Sequence, residues 1–323
     1  MANEPKYRLK QTKEIIFKNL KENWLEAKIL PLDLREKLNN ECPLGINVEI
    51  FPSQKKDSLK ARIILNDGLA AETVLMRHND KRNTVCVSSM VGCPLACSFC
   101  ATGKMGFKRN LFAMEIVEQD LFFARFLKKE NDRVSNVVFM GMGEPFLNYE
   151  NVIRAIKILN DKDGLNIGAR HISISTSGVT EGIKKLAEEK IQINLAISLH
   201  APNNELRSKI MPVNKKYSIE KILKATDEYI KKTKRQVTFE YLLIKNVNDS
   251  NESAEKLAKL MKKPLYFLNL ILYNPTGMPG FKPSSSKQIS QFKEILKKKG
   301  VAFSQRYRFG EKTKSACGQL SIY

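Results

Sequence analysis

The chain has 323 residues, 42% of them hydrophobic and 28% charged, which excludes a disordered or fibrous protein. That length can bury a large core, as one α/β domain with an appendage or as two domains. Lys and Arg outnumber Asp and Glu by 55 to 34, a net charge of +21; this suits a polyanionic partner such as nucleic acid, a solvated lysine face being the plain alternative.

No apolar run reaches bilayer-spanning length, and the opening Met-Ala-Asn-Glu-Pro-Lys-Tyr lacks a signal-peptide core. A cytoplasmic protein with no membrane contact is expected. The first elements predicted are helices over 10–20 and 31–40. Alternating stretches at 46–51, 60–65 and 71–76 predict strands, with Asn66-Asp-Gly68 as the turn between the last two. From residue 84 the pattern becomes strand, then helix, repeated. Strands are expected at 84–89, 136–140, 171–175, 191–199, 237–244 and 266–272. The intervening helices are expected at 114–128, 151–159, 180–190, 219–231, 252–261 and 286–299.

Continuous apolar strands separated by helices predict a parallel sheet with right-handed crossovers. Polar residues follow nearly every strand, so the fold class expected is α/β, a partial (β/α)6 barrel with its site at the strand C-termini. The domains expected are an α+β appendage over 1–78, the barrel over 79–300 and a short basic extension over 301–323.

The six cysteines are Cys42, Cys86, Cys93, Cys97, Cys100 and Cys317. Their spacing is not that of a disulfide framework, so reduced, metal-binding or catalytic thiols are expected. Cys42 is expected at a buried apolar position. Cys93, Cys97 and Cys100 form C-x3-C-x2-C just after the first barrel strand. A [4Fe–4S] cube normally takes four Cys, so three leave one iron open for chemistry. Zinc is the alternative, but no paired Cys-x2-Cys or nearby His completes a set of four.

Gly141-Met-Gly-Glu-Pro145 follows the second barrel strand. Its glycines allow close backbone approach and Glu144 can hold an ammonium, although a plain turn looks the same. Ser175, Ser198-Leu199-His200 and Asn274 end later strands. Each suits either a capped turn or part of a polar ring around a ligand.

The cysteine run, with Phe99 before its last Cys, resembles the radical S-adenosylmethionine (SAM) enzymes. The full constellation resembles, within them, the dual-specificity RNA methyltransferases that act on adenine C2 of 23S ribosomal RNA and of transfer RNA. The resemblance rests on Glu72-Thr-Val, Cys86-Val-Ser-Ser, the cysteine run, Gly-Met-Gly-Glu-Pro, Ser-Leu-His-Ala-Pro202, Met211-Pro-Val-Asn-Lys-Lys-Tyr217 and Ala-Cys317-Gly-Gln-Leu. It covers essentially the whole chain.

The resemblance implies a [4Fe–4S] cluster on Cys93, Cys97 and Cys100, its open iron chelated by SAM. Gly143, Glu144, Ser175, Ser198, Leu199, His200 and Asn274 are implied to bind SAM, two molecules being used per turnover. Cys317 is implied to take a methyl group from the first. The second is cleaved to a 5′-deoxyadenosyl radical, which activates the S-methyl group for attack on adenine C2 and leaves a thioether bridge. Glu72 is implied as the proton acceptor, and Cys86 as the thiol that resolves the bridge through a disulfide with Cys317. The partners implied are 23S rRNA, tRNA and an electron donor such as flavodoxin or ferredoxin, the enzyme acting as a monomer. The appendage and the basic tail are the expected RNA grips.

Other readings stay open at this point. A related enzyme conferring antibiotic resistance methylates C8 of the ribosomal adenine and shares the cysteines. Pro145 favours C2, whereas Arg306-Tyr-Arg-Phe-Gly-Glu311 departs from the Arg-Gly-Asp-like run usual in C2 enzymes. A non-catalytic iron–sulfur RNA-binding protein accounts for the charge and the cluster but leaves Glu72, Cys86 and Cys317 unused. A glycyl-radical activase has no need of Cys317.

Overall fold

The computed structural model describes residues 4–53, 57–306 and 316–321. Helix α1 (Lys6–Lys13) runs into a π-turn at Glu14–Lys18 and is followed by α2 (Leu32–Glu41). Three strands come next, β1 (Val48–Pro52), β2 (Ser58–Ile64) and β3 (Ala70–Arg77), then β4 (Asn83–Cys86). A small hairpin, β5 (Met90–Gly92) and β6 (Phe107–Asn110), encloses the cysteine loop and α3 (Ala101–Lys104). The repeating part is α4 (Ala113–Lys128), β7 (Asn136–Phe139), α5 (Tyr149–Asn160), β8 (Ile172–Thr176), α6 (Thr180–Glu188) and β9 (Asn194–Ser198). It continues through α7 (Asn204–Ile210), α8 (Ile219–Thr233), β10 (Val237–Leu243), α9 (Asn251–Leu260), β11 (Tyr266–Leu272), α10 (Ser286–Lys298) and β12 (Phe303–Gln305).

The main sheet is ordered β1-β2-β3-β4-β7-β8-β9-β10-β11-β12. Pairs from β1 to β4 are antiparallel. From β4 onward every pair is parallel, and the sheet stays open between β1 and β12. The expected boundary near residue 78 therefore falls inside one continuous sheet, with Val74 of β3 opposite Cys86 of β4.

Burial explains the order. Val137, Phe139, Ile172, Ile174, Leu195, Ile197, Val237 and Phe239 are almost wholly buried between sheet and helices, each such side chain contributing about 1.5–3 kcal/mol. The helices begin where an oxygen can cap them. Asn203 accepts from Leu206 N–H, Ser250 from Ser253 N–H and Ser285 from Gln288 N–H. The hairpin turn is as expected: Gly68 has φ +79° and Leu69 N–H donates to Asp67 Oδ1.

Five pieces were not foreseen: the π-turn, the β5–β6 hairpin, α3, α7 and β12. Each is short, and short elements carry too few residues to show a period. Cys42 is a correction, since its thiol is exposed. Its carbonyl, not its side chain, is used, accepting from the Trp24 indole at 2.7 Å. That bond closes a separate small core of Ile15, Trp24, Ala27, Leu30, Leu34 and Leu38. Arg125 of α4 ties this unit down by donating to Leu44 O and Lys21 O. The tail segment beginning at Tyr307, on which part of the RNA-grip and family expectations rest, lies outside the described residues through residue 315. Among the described residues no helix is long and apolar enough to cross a membrane.

Asp120 of α4 is fully buried, and neither carboxylate oxygen has a hydrogen-bond partner among the described residues. Burial raises its pKa well above the usual carboxylate value. The folded chain thus keeps a proton that the unfolded chain sheds above about pH 4, and stability falls as pH rises from there toward the raised folded value. Asp120→Val should therefore be more stable at pH 7 by about 1–3 kcal/mol, with the gap closing on acidification. Urea titrations at pH 4 and pH 7 check this; equal midpoint differences at both pH values would contradict it.

Candidate active site

Parallel strands place their C-terminal ends along one edge, and every expected site residue of the barrel lies there. β4 ends at Cys86 and leads through Ser88 and Ser89 to the cysteine loop. Gly92 (φ +76°) starts that loop, and a Cβ on it would sit 1.8 Å from Gly106 O, so only glycine allows the hairpin to close. The loop is fastened on several sides. Cys93 N–H donates to Gly106 O and Ser98 N–H to Ile210 O, both at 3.0 Å, and the Phe99 ring meets His200 edge-on at 5.3 Å.

The three thiols act on one another. Burial pushes Cys93 up to about 12, with Glu144 and Cys100 adding repulsion. It also pushes Cys97 well up, helped by Cys100 and Cys93. Among the described residues no three His, Cys, Asp or Glu converge as they would on a single ion. A cube fits better, because each of three irons takes its own thiolate. Iron charge would also reverse the penalty on the thiolates.

Around the loop lie groups suited to a polar ligand. Gly143 has φ +102°, and a Cβ there would meet Met90 Cβ at 2.6 Å. Glu144 is buried; its Oε1 accepts from Phe146 N–H at 3.1 Å and its Oε2 from Ser177 N–H at 2.7 Å. Burial raises its pKa against those bonds. The Thr176 and Ser177 side chains bond it as well, and its negative charge suits an ammonium. Ser175 Oγ donates to Glu240 Oε2 at 3.0 Å, and Ser198 Oγ to the same oxygen at 3.4 Å.

His200 is buried; its Nδ1 accepts from Leu242 N–H and its pKa falls to about 3 through burial, so it is neutral with the proton on Nε2. Leu199 is core, its carbonyl accepting from Arg207. Asn274 is buried, and its Oδ1 has no hydrogen-bond partner among the described residues. A buried acceptor without a donor fits a ligand hydrogen bond at this strand end. The residues present thus fit a cluster with SAM.

The C-terminal segment folds back against this edge. Gly318 O accepts from Ala101 N–H at 2.8 Å, Leu320 O from Thr102 Oγ1 at 2.7 Å, and Gln319 Nε2 donates to Pro275 O at 2.7 Å. Leu320 packs with Val74, Met76, Cys86 and Met142. Cys317 and Cys86 are both free thiols, near enough that charge on Cys317 raises the Cys86 pKa. Burial dominates at both, taking Cys86 to about 12 and Cys317 to about 11, while Arg306 pulls both down. The Cys317 side chain nonetheless stays open to solvent. Its alkylation by iodoacetamide in cluster-free protein should rise about tenfold per pH unit between 7 and 10, following the thiolate fraction. Site-resolved mass spectrometry checks this, and a plateau below pH 9 would contradict it.

Glu72 on β3 has no exposed surface. Its Oε1 pairs with Lys60 Nζ at 2.9 Å and its Oε2 accepts from Ser321 N–H at 2.8 Å. Sequence reading missed four residues here: Lys60, Arg207, Glu240 and Arg306. Glu240 left a signal, a lone carboxylate inside the apolar run 237–244. Arg207 left none. It is fully buried and donates to Leu199 O, Ser198 O, Ser177 O, Tyr217 O and Asn214 Oδ1, so it holds the ends of β8 and β9 together.

The sequence pattern of the Radical SAM superfamily matches residues 87–260. The chain is 46% identical to a probable dual-specificity RNA methyltransferase RlmN of Dictyoglomus thermophilum, over 98% of this chain and 91% of that one. It is 47% identical to the ribosomal RNA large subunit methyltransferase N of Nitrosopumilus maritimus, over 90% and 85% of the two chains. The crystal structure of a radical SAM methyltransferase from Sphaerobacter thermophilus superposes with a TM-score of 0.95 at 42% identity, covering 98% of this chain and 93% of that one.

Proposed function

Since the chain belongs to the radical SAM superfamily and, within it, to the dual-specificity RNA methyltransferases RlmN, we propose that it methylates C2 of an adenine in 23S rRNA and of an anticodon-loop adenine in tRNA. Cys93, Cys97 and Cys100 would hold the cluster, with Gly143, Glu144, Ser175, Ser198, Leu199, His200 and Asn274 around SAM. When bound, the cluster and two SAM molecules per turnover supply a methyl group and a carbon radical that activates it.

The protein's own groups do the rest. Cys317, as thiolate, accepts the methyl group and carries it to the base. Adenine must leave its stack for its C2 edge to meet the Cys317 sulfur. With Cys317 and the base joined through the methylene carbon, Glu72 takes the C2 proton. As that proton leaves, the adduct also gives its unpaired electron back to the redox centre. Cys86, as thiolate, then attacks Cys317 Sγ; the S–S bond forms as the C–S bond breaks, and the released carbon takes the bonding pair and a proton to become the methyl group. An external reductant restores both thiols. Lys60 Nζ, 2.9 Å from Glu72 Oε1, keeps that side chain in place. The α+β segment 1–78 and the basic tail grip the RNA, and a flavodoxin or ferredoxin delivers electrons to the monomer in the cytoplasm.

The observation that carries this reading is the seating of the Cys317 segment on the cysteine loop, on the same interior layer as Cys86. Neither a non-catalytic RNA-binding protein nor a glycyl-radical activase has a use for that seating. Mass spectrometry of digested RNA should find 2-methyladenosine; 8-methyladenosine alone would overturn the regiochemistry, and neither product would overturn the function.

A further inference from the structure

We infer that Lys60 is a positioning residue for methyl transfer: it pairs with the buried Glu72 and, through Glu72, pins the segment that carries Cys317. The inference rests on the reading of Glu72 as proton acceptor. It starts from an electrostatic requirement. A carboxylate with no exposed surface is tolerated only when paired and hydrogen-bonded. Lys60, itself only 8% exposed, supplies the partner at 2.9 Å. Arg62 does not replace it, being 3.8 Å from Glu72 Oε1 and engaged at 3.1 Å with Glu49.

Register puts the pair where it is needed. Lys60 of β2 lies opposite Val74 of β3, which in turn lies opposite Cys86 of β4. All three therefore face the layer on which Leu320 packs. The second Glu72 oxygen holds the Ser321 amide at 2.8 Å, across 249 residues of chain. Lys60 thus acts on the segment without touching it. When Glu72 accepts a proton, the ion pair loses its attraction and Ser321 loses its charged acceptor. Proton removal from the base and loosening of the Cys317 segment are then one event, timed for the approach of Cys86.

Hydrogen exchange in the full-length, cluster-free protein tests this without turnover. Lys60→Met should speed exchange of the 316–321 peptide by about tenfold, the worth of one charge-assisted hydrogen bond. Glu72→Gln should do the same, and Lys60→Arg should stay near wild type. If Lys60→Met does not fold, Lys60→Met/Glu72→Gln removes the unpaired carboxylate and should show the same fast exchange. In reconstituted enzyme, Lys60→Met should keep S-methyl on Cys317 while RNA methylation falls about tenfold. Wild-type exchange in both Lys60→Met and the double variant would overturn the inference. If Lys60→Met loosens the segment but Glu72→Gln methylates RNA at the wild-type rate, the proton-acceptor reading fails and the positioning role stands. If Glu72→Gln stalls and Lys60→Met exchanges normally, the reading stands and the inference fails.

Discussion

Cys86→Ala is expected to leave the enzyme covalently joined to its RNA. In the proposed mechanism, methyl loading of Cys317 and bond formation to the base do not call on Cys86, so the chain should reach the thioether and stop there. Product release should fall by about 10³-fold or more, as when a residue acting in its own step is removed. On a denaturing gel labelled RNA should migrate with the protein, and nuclease digestion should leave an adenosine adduct on the peptide containing Cys317. The buried position of Cys86, against Val74, Met142 and Leu320, suits a small apolar replacement, so Ala should leave the fold intact. Cys317→Ala should show no adduct at all. Free methylated RNA from Cys86→Ala at the wild-type rate would remove the disulfide step from the mechanism.

Arg207→Met should cost about 3–5 kcal/mol of stability, the range for removing one member of a buried charged network. Methionine has similar reach but no donor, so the four carbonyls and Asn214 Oδ1 now served by Arg207 would stay buried and unpartnered. Burial lowers the Arg207 pKa to about 10, which still leaves it charged at neutral pH. The loss is therefore the same across pH 6–8. The bonds to Ser177 O and Ser198 O anchor the turns that follow Ser175 and contain Ser198, so SAM affinity should fall along with the denaturation midpoint. Equilibrium dialysis with SAM and a urea titration check both; an unchanged midpoint would contradict the network's role.

Much of this protein is written in local pattern. The alternation of apolar strand and helix from residue 84 onward carries the parallel sheet, because periods of two and of 3.6 residues are local properties. The cysteine loop is legible for the same reason, as three cysteines within eight residues need only spacing to be seen. Gly-Met-Gly-Glu-Pro was readable as a strand-end turn, and the structure adds the reason for Gly143, a positive φ against Met90.

What escaped is long in sequence and short in space. Lys60 and Glu72 each look like ordinary charges on alternating strands; only pairing of β2 with β3, and of β3 with β4, turns them inward together. Arg207 looks like an ordinary surface arginine until the ends of two strands close around it. The return of Ser321 to Glu72 depends on the whole sheet being assembled first, since closing so long a loop is repaid only by the packing of Leu320 and the bonds at its end. By itself the sequence determined the longer elements and the spacing of the cysteines. The tertiary structure alone decided which buried charges are paired, and so which residues hold the reacting groups in place, because charge pairing in a protein interior is set by distance and desolvation and not by order along the chain.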